Sequence, residues 1–114
     1  MSECIFCQIA AGEMESDIVY QDQQVSAFRD INPAAPVHLL IVPNRHITSI
    51  QEVEEGDEQL LGHLLTTARV LAEQEGVAES GFRLIINNGP DAHQEISHLH
   101  LHLLAGSKMV HPMG

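Results

Sequence analysis

The run His98-Leu99-His100-Leu101-His102-Leu103-Leu104 alternates imidazole and leucine over its first six positions. A period of two predicts a β-strand with the three histidines on one face and Leu99, Leu101 and Leu103 on the other. Along a strand, residues two apart are separated by roughly 6.5–7 Å, so the imidazoles should stand in a row. Imidazole has an unperturbed pKa of about 6.5, the nearest of any side chain to neutrality. A row of them can supply a nucleophile, a proton carrier and a hydrogen-bond donor to an anion. It can equally ligate a metal.

The rest of the chain limits the choice. At 114 residues with 44% apolar, it can bury a real core, and 1–114 reads as one domain. No apolar run reaches the ~18 residues a membrane span needs. The start, Met1-Ser2-Glu3-Cys4, has no basic stretch followed by an apolar one, so the expectation is a cytoplasmic protein without a leader. The formal charge is −11 with only five Lys and Arg, which argues against nucleic acid as a partner. An anionic ligand would need a local donor site to overcome that field, from loop amides, protonated histidine or a metal.

In chain order, residues 4–12 read as a short helix closed by Gly12, with Ile5 and Ile9 on one side. Cys4 and Cys7, three apart, could share a metal or be two half-buried thiols. Residues 18–20 and 25–29 flank the polar Gln21-Asp22-Gln23-Gln24 and read as a hairpin. Asp30 to Pro36 is a loop stiffened by Pro33 and Pro36, in which Asp30 could cap a turn or grip a pair of hydroxyls. Residues 37–42 form a nearly continuous apolar strand interrupted by His38. A helix over about 57–75 is predicted by Leu60, Leu61, Leu64, Leu65, Ala68, Leu71 and Ala72, with Asp57 as N-cap and Gly76 as terminator. Gly62 inside it hints at a close contact, and His63 falls off the apolar stripe. Residues 82–87 form a fourth strand, and the polar turn 88–95 leads into the histidines. The pattern is α+β with a mainly antiparallel sheet.

The run at 98–104 matches His-φ-His-φ-His-φ-φ, φ being apolar, at every position. With Ile5-Phe6, Phe28-Arg29-Asp30-Ile31, Ala35-Pro36, His38 and Gln94 in order, the chain resembles the histidine triad (HIT) superfamily. It is most similar to its Hint branch, the histidine triad nucleotide-binding proteins, and to the bacterial members of that branch. The resemblance implies a five-stranded sheet, one long helix, a short N-terminal helix and a homodimer with the long helix at its interface. It implies binding of purine nucleoside monophosphates and hydrolysis of nucleoside 5′-phosphoramidates to monophosphate and amine through a nucleotidyl-histidine.

Carried over by position, His100 is the nucleophile, His102 a phosphate ligand, and His38 the fourth histidine holding the nucleophile's ring. Ile5, Phe6, Ile9, Phe28, Ile31 and Leu40 would wall the base, and Asp30 would accept from the ribose hydroxyls. Asn87, Gln94 and the amide of Glu95 would face the phosphate. Some members of the superfamily bind zinc through residues that correspond to Cys4, Cys7, His46 and His98. Such a Cys2His2 set is a closed, structural site, and the chemistry itself requires no cofactor. The chain departs from the pattern at Glu95 (Ser in animal Hint proteins), His93 (Gly) and Ser97 (Tyr), and its tail lacks a Trp seen in some relatives. Alternative readings are a dinucleoside polyphosphate hydrolase, a non-catalytic nucleotide-binding adaptor and a metal-trafficking protein.

Overall fold

The structure, a computed structural model, describes residues 3–114. Met1 and Ser2, on which the expectation of a leaderless start partly rests, lie outside the described residues. Helix α1 spans Ile5–Ala10 and α2 spans Glu58–Gln74. The strands are β1 (Ile18–Gln21), β2 (Val25–Arg29), β3 (Val37–Pro43), β4 (Phe82–Ile86) and β5 (Leu101–Ala105). They form one five-stranded sheet in the order β1-β2-β3-β5-β4, with every pairing antiparallel. This is the α+β, five-stranded architecture anticipated above.

Period-two alternation sorts side chains to the two faces of this sheet. Val25, Ala27, Leu39, Ile41, Leu101, Leu103 and Ala105 pack against Leu64, Ala68, Leu71 and Ala72 of α2. The alternate residues Phe28, Leu40 and Val42 pack on the opposite face against Phe6 and Ile9 of α1. His100 and His102 belong to this α1 face. One helix therefore covers the core face and the other partly covers the histidine face.

Several expectations need correction. The ladder takes in only Leu101–Ala105 of the histidine run; residues 98–100 precede it. The β3–β5 register ends at Ile41↔Leu101. Beyond it Pro43 has no N–H to give, and its carbonyl accepts from the His98 ring at 2.8 Å. The Leu99 N–H goes instead to the Ile47 carbonyl at 2.7 Å. The alternation nevertheless holds, with Leu99 1% exposed in the core and the histidines turned away.

Asp57 stands at the N-cap position of α2 as expected, but its side chain makes no cap hydrogen bond to the helix. A 3-10 turn over Glu55–Asp57 precedes the helix, and the Asp57 carboxylate accepts from the Glu54 N–H and pairs with Arg45. Leu65 is 50% exposed, and Thr67 takes a buried place on the stripe. A side chain at Gly62 would meet nothing within 4 Å, so no contact inside the chain demands glycine there. His63, off the stripe and half-buried, is held in place: its Nε2 lies 2.6 Å from Asp22 Oδ2 and ties α2 to the β1–β2 turn.

Candidate active site and metal centre

The α1 face of the sheet carries a cavity of about 510 Å3. Phe6, Ile9, Phe28 and Leu40 form its buried apolar wall. Ile5 and Ile31 stand at the rim, Ile31 being 85% exposed. Asp30, Asn87, Glu95, His100 and His102 also line it. His38, 7% exposed, lies behind them against His102. Gln94 is turned away: its Oε1 accepts from the Gly89 N–H at 3.0 Å and its Nε2 donates to the Thr48 and Ile96 carbonyls. Its amide staples the 88–96 loop and does not face the cavity.

Hydrogen bonds fix which nitrogen of each imidazole at the cavity carries a proton. The Ala34 N–H donates to His38 Nδ1 at 3.0 Å, so the His38 proton resides on Nε2. That Nε2 lies 2.9 Å from His102 Nδ1 and donates to it, leaving His102 with Nε2–H. His100 Nδ1 lies 2.7 Å from the His98 carbonyl, which can only accept, so His100 Nε2 keeps its lone pair. The set therefore presents one basic nitrogen, on His100, beside one N–H donor, on His102, with the two rings 4.9 Å apart. His38 accordingly holds His102 and not His100, the ring the resemblance assigned to it; the backbone carbonyl of His98 holds His100.

Burial reinforces the neutral forms. The His102 imidazole is pushed down to about 4, first by desolvation and then by His100 and His38, with Asp30 opposing. Desolvation also lowers His38, again opposed by Asp30. Asp30 caps its turn, as one of the two readings had it: its Oδ1 accepts from the Asn32 N–H at 2.8 Å, and its Oδ2 lies 3.5 Å from His38 Nε2 at the edge of the cavity.

His98 belongs to a second cluster. Its ring is fully buried, and Nε2 donates to the Pro43 carbonyl, so Nδ1 offers a lone pair. Around that nitrogen stand Cys4 Sγ at 3.2 Å, Cys7 Sγ at 3.4 Å and His46 Nδ1 at 3.2 Å, with Cys7 Sγ 3.3 Å from His46 Nδ1. Bonds of about 2.0–2.3 Å in a tetrahedron place ligand atoms roughly 3.3–3.8 Å apart. The donor set and its spacing fit a four-coordinate zinc ion. Cys4 and Cys7 meet because Cys4 caps α1, accepting from the Cys7 N–H, and the first helical turn sets the pair side by side.

Sequence reasoning missed Met14, Glu15, Ser16, Arg29, Asn32 and Ile96 as cavity residues, and gave His93 no place in it. The signal for the first three was weak: after Gly12 the chain turns back, with the Glu13 and Met14 N–H groups both on the Gln8 carbonyl.

A single five-stranded antiparallel sheet bearing a triad of histidines, an adjoining fourth histidine and an apolar cavity defines a histidine-triad protein. The HIT domain profile matches residues 11–109, and the chain belongs to this family, in its Hint branch. It is 52% identical over 104 residues to the purine nucleoside phosphoramidase of Escherichia coli (strain K12), spanning 91% of this chain and 87% of that relative. It is 46% identical over 115 residues to the "14 kDa zinc-binding protein" of Zea mays, spanning 99% of this chain and 89% of the relative. The crystal structure of the HIT family hydrolase from Legionella pneumophila Philadelphia 1 superposes with a TM-score of 0.95 at 46% identity, covering 98% of this chain and 100% of that one. The protein is a hydrolase of this family.

Proposed function

We propose that the protein hydrolyses purine nucleoside 5′-phosphoramidates, of the adenosine 5′-monophosphoramidate kind, to the nucleoside monophosphate and an amine. The observation that carries this is the proton pattern of the imidazoles: a lone pair on His100 Nε2 beside an N–H on His102. The similarity to a purine nucleoside phosphoramidase supports it.

In the first step His100 Nε2 attacks the α-phosphorus, a P–N bond to the imidazole forms, and the P–N bond to the amine breaks. The phosphoramidate nitrogen takes a proton from solvent, so the amine leaves neutral. In the second step water adds to phosphorus, its proton passes to solvent, and the imidazole departs with its electron pair restored. A neutral imidazole attacks without prior deprotonation, which an alcohol would require. His102 Nε2–H and loop amides at Asn87 and Glu95 offset charge on the non-bridging oxygens. Phe6, Ile9, Phe28 and Leu40 bury the base, Ile5 and Ile31 close over its rim, and Asp30 accepts from the ribose hydroxyls.

On the same reading, residues 1–114 are one HIT domain, working in the cytoplasm as a homodimer. Support for the dimer comes from the exposed Leu65 on the outer face of α2 and from β4, an outer strand of the sheet. Cys4, Cys7, His46 and His98 hold one structural zinc, which fixes the α1 end of the chain against the histidine run. The fit of the four ligand atoms and the likeness to a zinc-binding relative support that assignment.

The test is release of AMP from adenosine 5′-monophosphoramidate by wild type and His100→Ala, with a dinucleoside tetraphosphate in parallel. Preferential turnover of the phosphoramidate, lost by at least about a thousandfold in His100→Ala while AMP still binds, is the expected result. AMP binding without turnover of either substrate would replace the hydrolase with an adaptor. Preferential cleavage of the tetraphosphate would make it a polyphosphate hydrolase.

A further inference from the structure

Sheet order divides the cavity into two ends. The apolar wall, Phe28 and Leu40, rises from β2 and β3. The reactive imidazoles sit next, His100 just before β5 and His102 on it, with His102 registered against Leu40 on one side and Ile85 on the other. Beyond them, toward β4, the lining is Asn87, His93 and Glu95. A nucleoside placed on the apolar wall with its phosphorus at His100 leaves this β4-side end for the rest of the substrate, the leaving group included.

That end is held in place. Gln94 Oε1 takes the Gly89 N–H, Gln94 Nε2 takes the Thr48 and Ile96 carbonyls, and the Gln94 N–H donates back to Gly89. Glu95 follows directly on this staple. The charges around it are one-sided. Among the described residues, the cavity lining has three carboxylates, Glu15, Asp30 and Glu95, and one Lys or Arg, Arg29. Arg29 is committed elsewhere: both Nη atoms bond Glu75 at 2.8 and 2.9 Å, and its Nε lies 3.4 Å from Asp17. His38 and His102 are arranged by their hydrogen bonds as neutral tautomers.

We infer that Glu95 makes the leaving-group end of the cavity anionic, and that it selects phosphoramidates whose departing amine carries a further positive charge over those whose leaving group is anionic. This rests on the phosphoramidase reading and adds to it the chemical class of the amine. Glu95 is exposed at the mouth, so the selection is a screened, salt-dependent effect. A leaving group bearing phosphates meets the same carboxylate with no free cation beside it, so the end discriminates against polyphosphate substrates as well.

The experiment compares kcat/KM for three adenosine 5′-phosphoramidates of matched length, built on propylamine, 1,3-diaminopropane and β-alanine. It is run at pH 8, above the ordinary imidazole range, in wild type and Glu95→Gln, at low salt and with added sodium chloride. Wild type should prefer the diamine over the β-alanine substrate by about tenfold at low salt, and by roughly twofold once the Debye length has shrunk to about 4 Å. Glu95→Gln should bring the low-salt ratio down to about threefold, the rest coming from the chain's net charge. The comparison is a ratio within each protein, so a general loss of activity in the variant does not disturb it. A ratio near one in wild type, or one unchanged in Glu95→Gln, would overturn the inference while propylamine turnover left the phosphoramidase reading standing. Failure of wild type on all three substrates would sink that reading and the inference with it.

Discussion

Two imidazole clusters meet in the histidine run, and they use the same side chain in opposite ways. In the cluster of His38, His102 and His100, inward ring nitrogens are engaged by hydrogen bonds: the Ala34 N–H on His38, His38 on His102, and His100 on the His98 carbonyl. In the cluster of Cys4, Cys7, His46 and His98, the inward atoms are Nδ1 and Sγ, drawn together at 3.2–3.4 Å. A hydrogen-bonded chain leaves one directed lone pair and one directed proton, which suits phosphorus chemistry. Converging lone pairs have no proton to share and suit a cation. What separates the two is the second nitrogen of each ring. The Pro43 carbonyl occupies His98 Nε2 and turns its Nδ1 toward the cysteines; the His98 carbonyl occupies His100 Nδ1 and leaves its Nε2 for the cavity.

The His98 ring is fully buried and touches both cysteines, His46 and the Pro43 carbonyl, so its removal should be the most damaging change. His98→Ala is expected to abolish zinc retention, measured by elemental analysis of purified protein. It should lower Tm by more than about 10 °C, because metal binding and folding are linked and the ring is fully buried. Full zinc content in His98→Ala would contradict the ligand assignment.

Cys7→Ser separates the clusters. It should lose most of the zinc but leave the His38–His102–His100 hydrogen bonds in place, so AMP release from the phosphoramidate should fall by less than about tenfold. A loss as large as that of His100→Ala would mean that the two clusters act as one.

His38→Ala is the reciprocal change. Zinc should stay at one per chain, and kcat should drop by about 10- to 100-fold as His102 loses the donor that fixes its tautomer. His38→Gln, whose amide can donate to His102 Nδ1, should recover part of that loss. Equal kcat in the two variants would show that His38 acts by filling space.

The smallest effect is on stability against pH. His102 titrates near 4 when folded and near 6.5 when unfolded, and burial lowers His38 as well. The unfolded chain therefore takes up protons first, and stability should fall as pH drops from about 6.5 toward about 4. Above that window this contribution is fully present. Denaturation midpoints across pH 4–7 should slope less steeply in His102→Asn, and an unchanged slope would assign the acid sensitivity to other groups.

Much of this was legible from residues alone. Alternation placed Leu99, Leu101 and Leu103 in the core and the histidines opposite, and the continuous apolar run at 37–42 became the buried centre of the sheet. The stripe of α2 was read correctly at Leu64, Ala68, Leu71 and Ala72 but not at Leu65, since periodicity gives a face and not its width. The strand limits at 98–100 were missed because the β3–β5 ladder stops short of Pro43, more than 50 residues away, which offers a carbonyl but no N–H. Gln94 was read as facing the phosphate, yet its amide is consumed by Gly89, Thr48 and Ile96.

The sequence by itself determined residue chemistry and period: three imidazoles on one side of a leucine row, two thiols one helical turn apart, an acidic chain with few cations. Those follow from local geometry, which each short stretch carries within itself. Tertiary structure alone decided which ring nitrogen bears a proton, how closely His46 and His98 approach the cysteines, and that Arg29 spends its charge on Glu75 and not in the cavity. Each of these depends on a partner far along the chain: Cys4 with His98 across 94 residues, His38 with His102 across 64, Arg29 with Glu75 across 46. A donor's direction has no periodic trace in sequence, because it is set by whichever acceptor folding brings within about 3 Å.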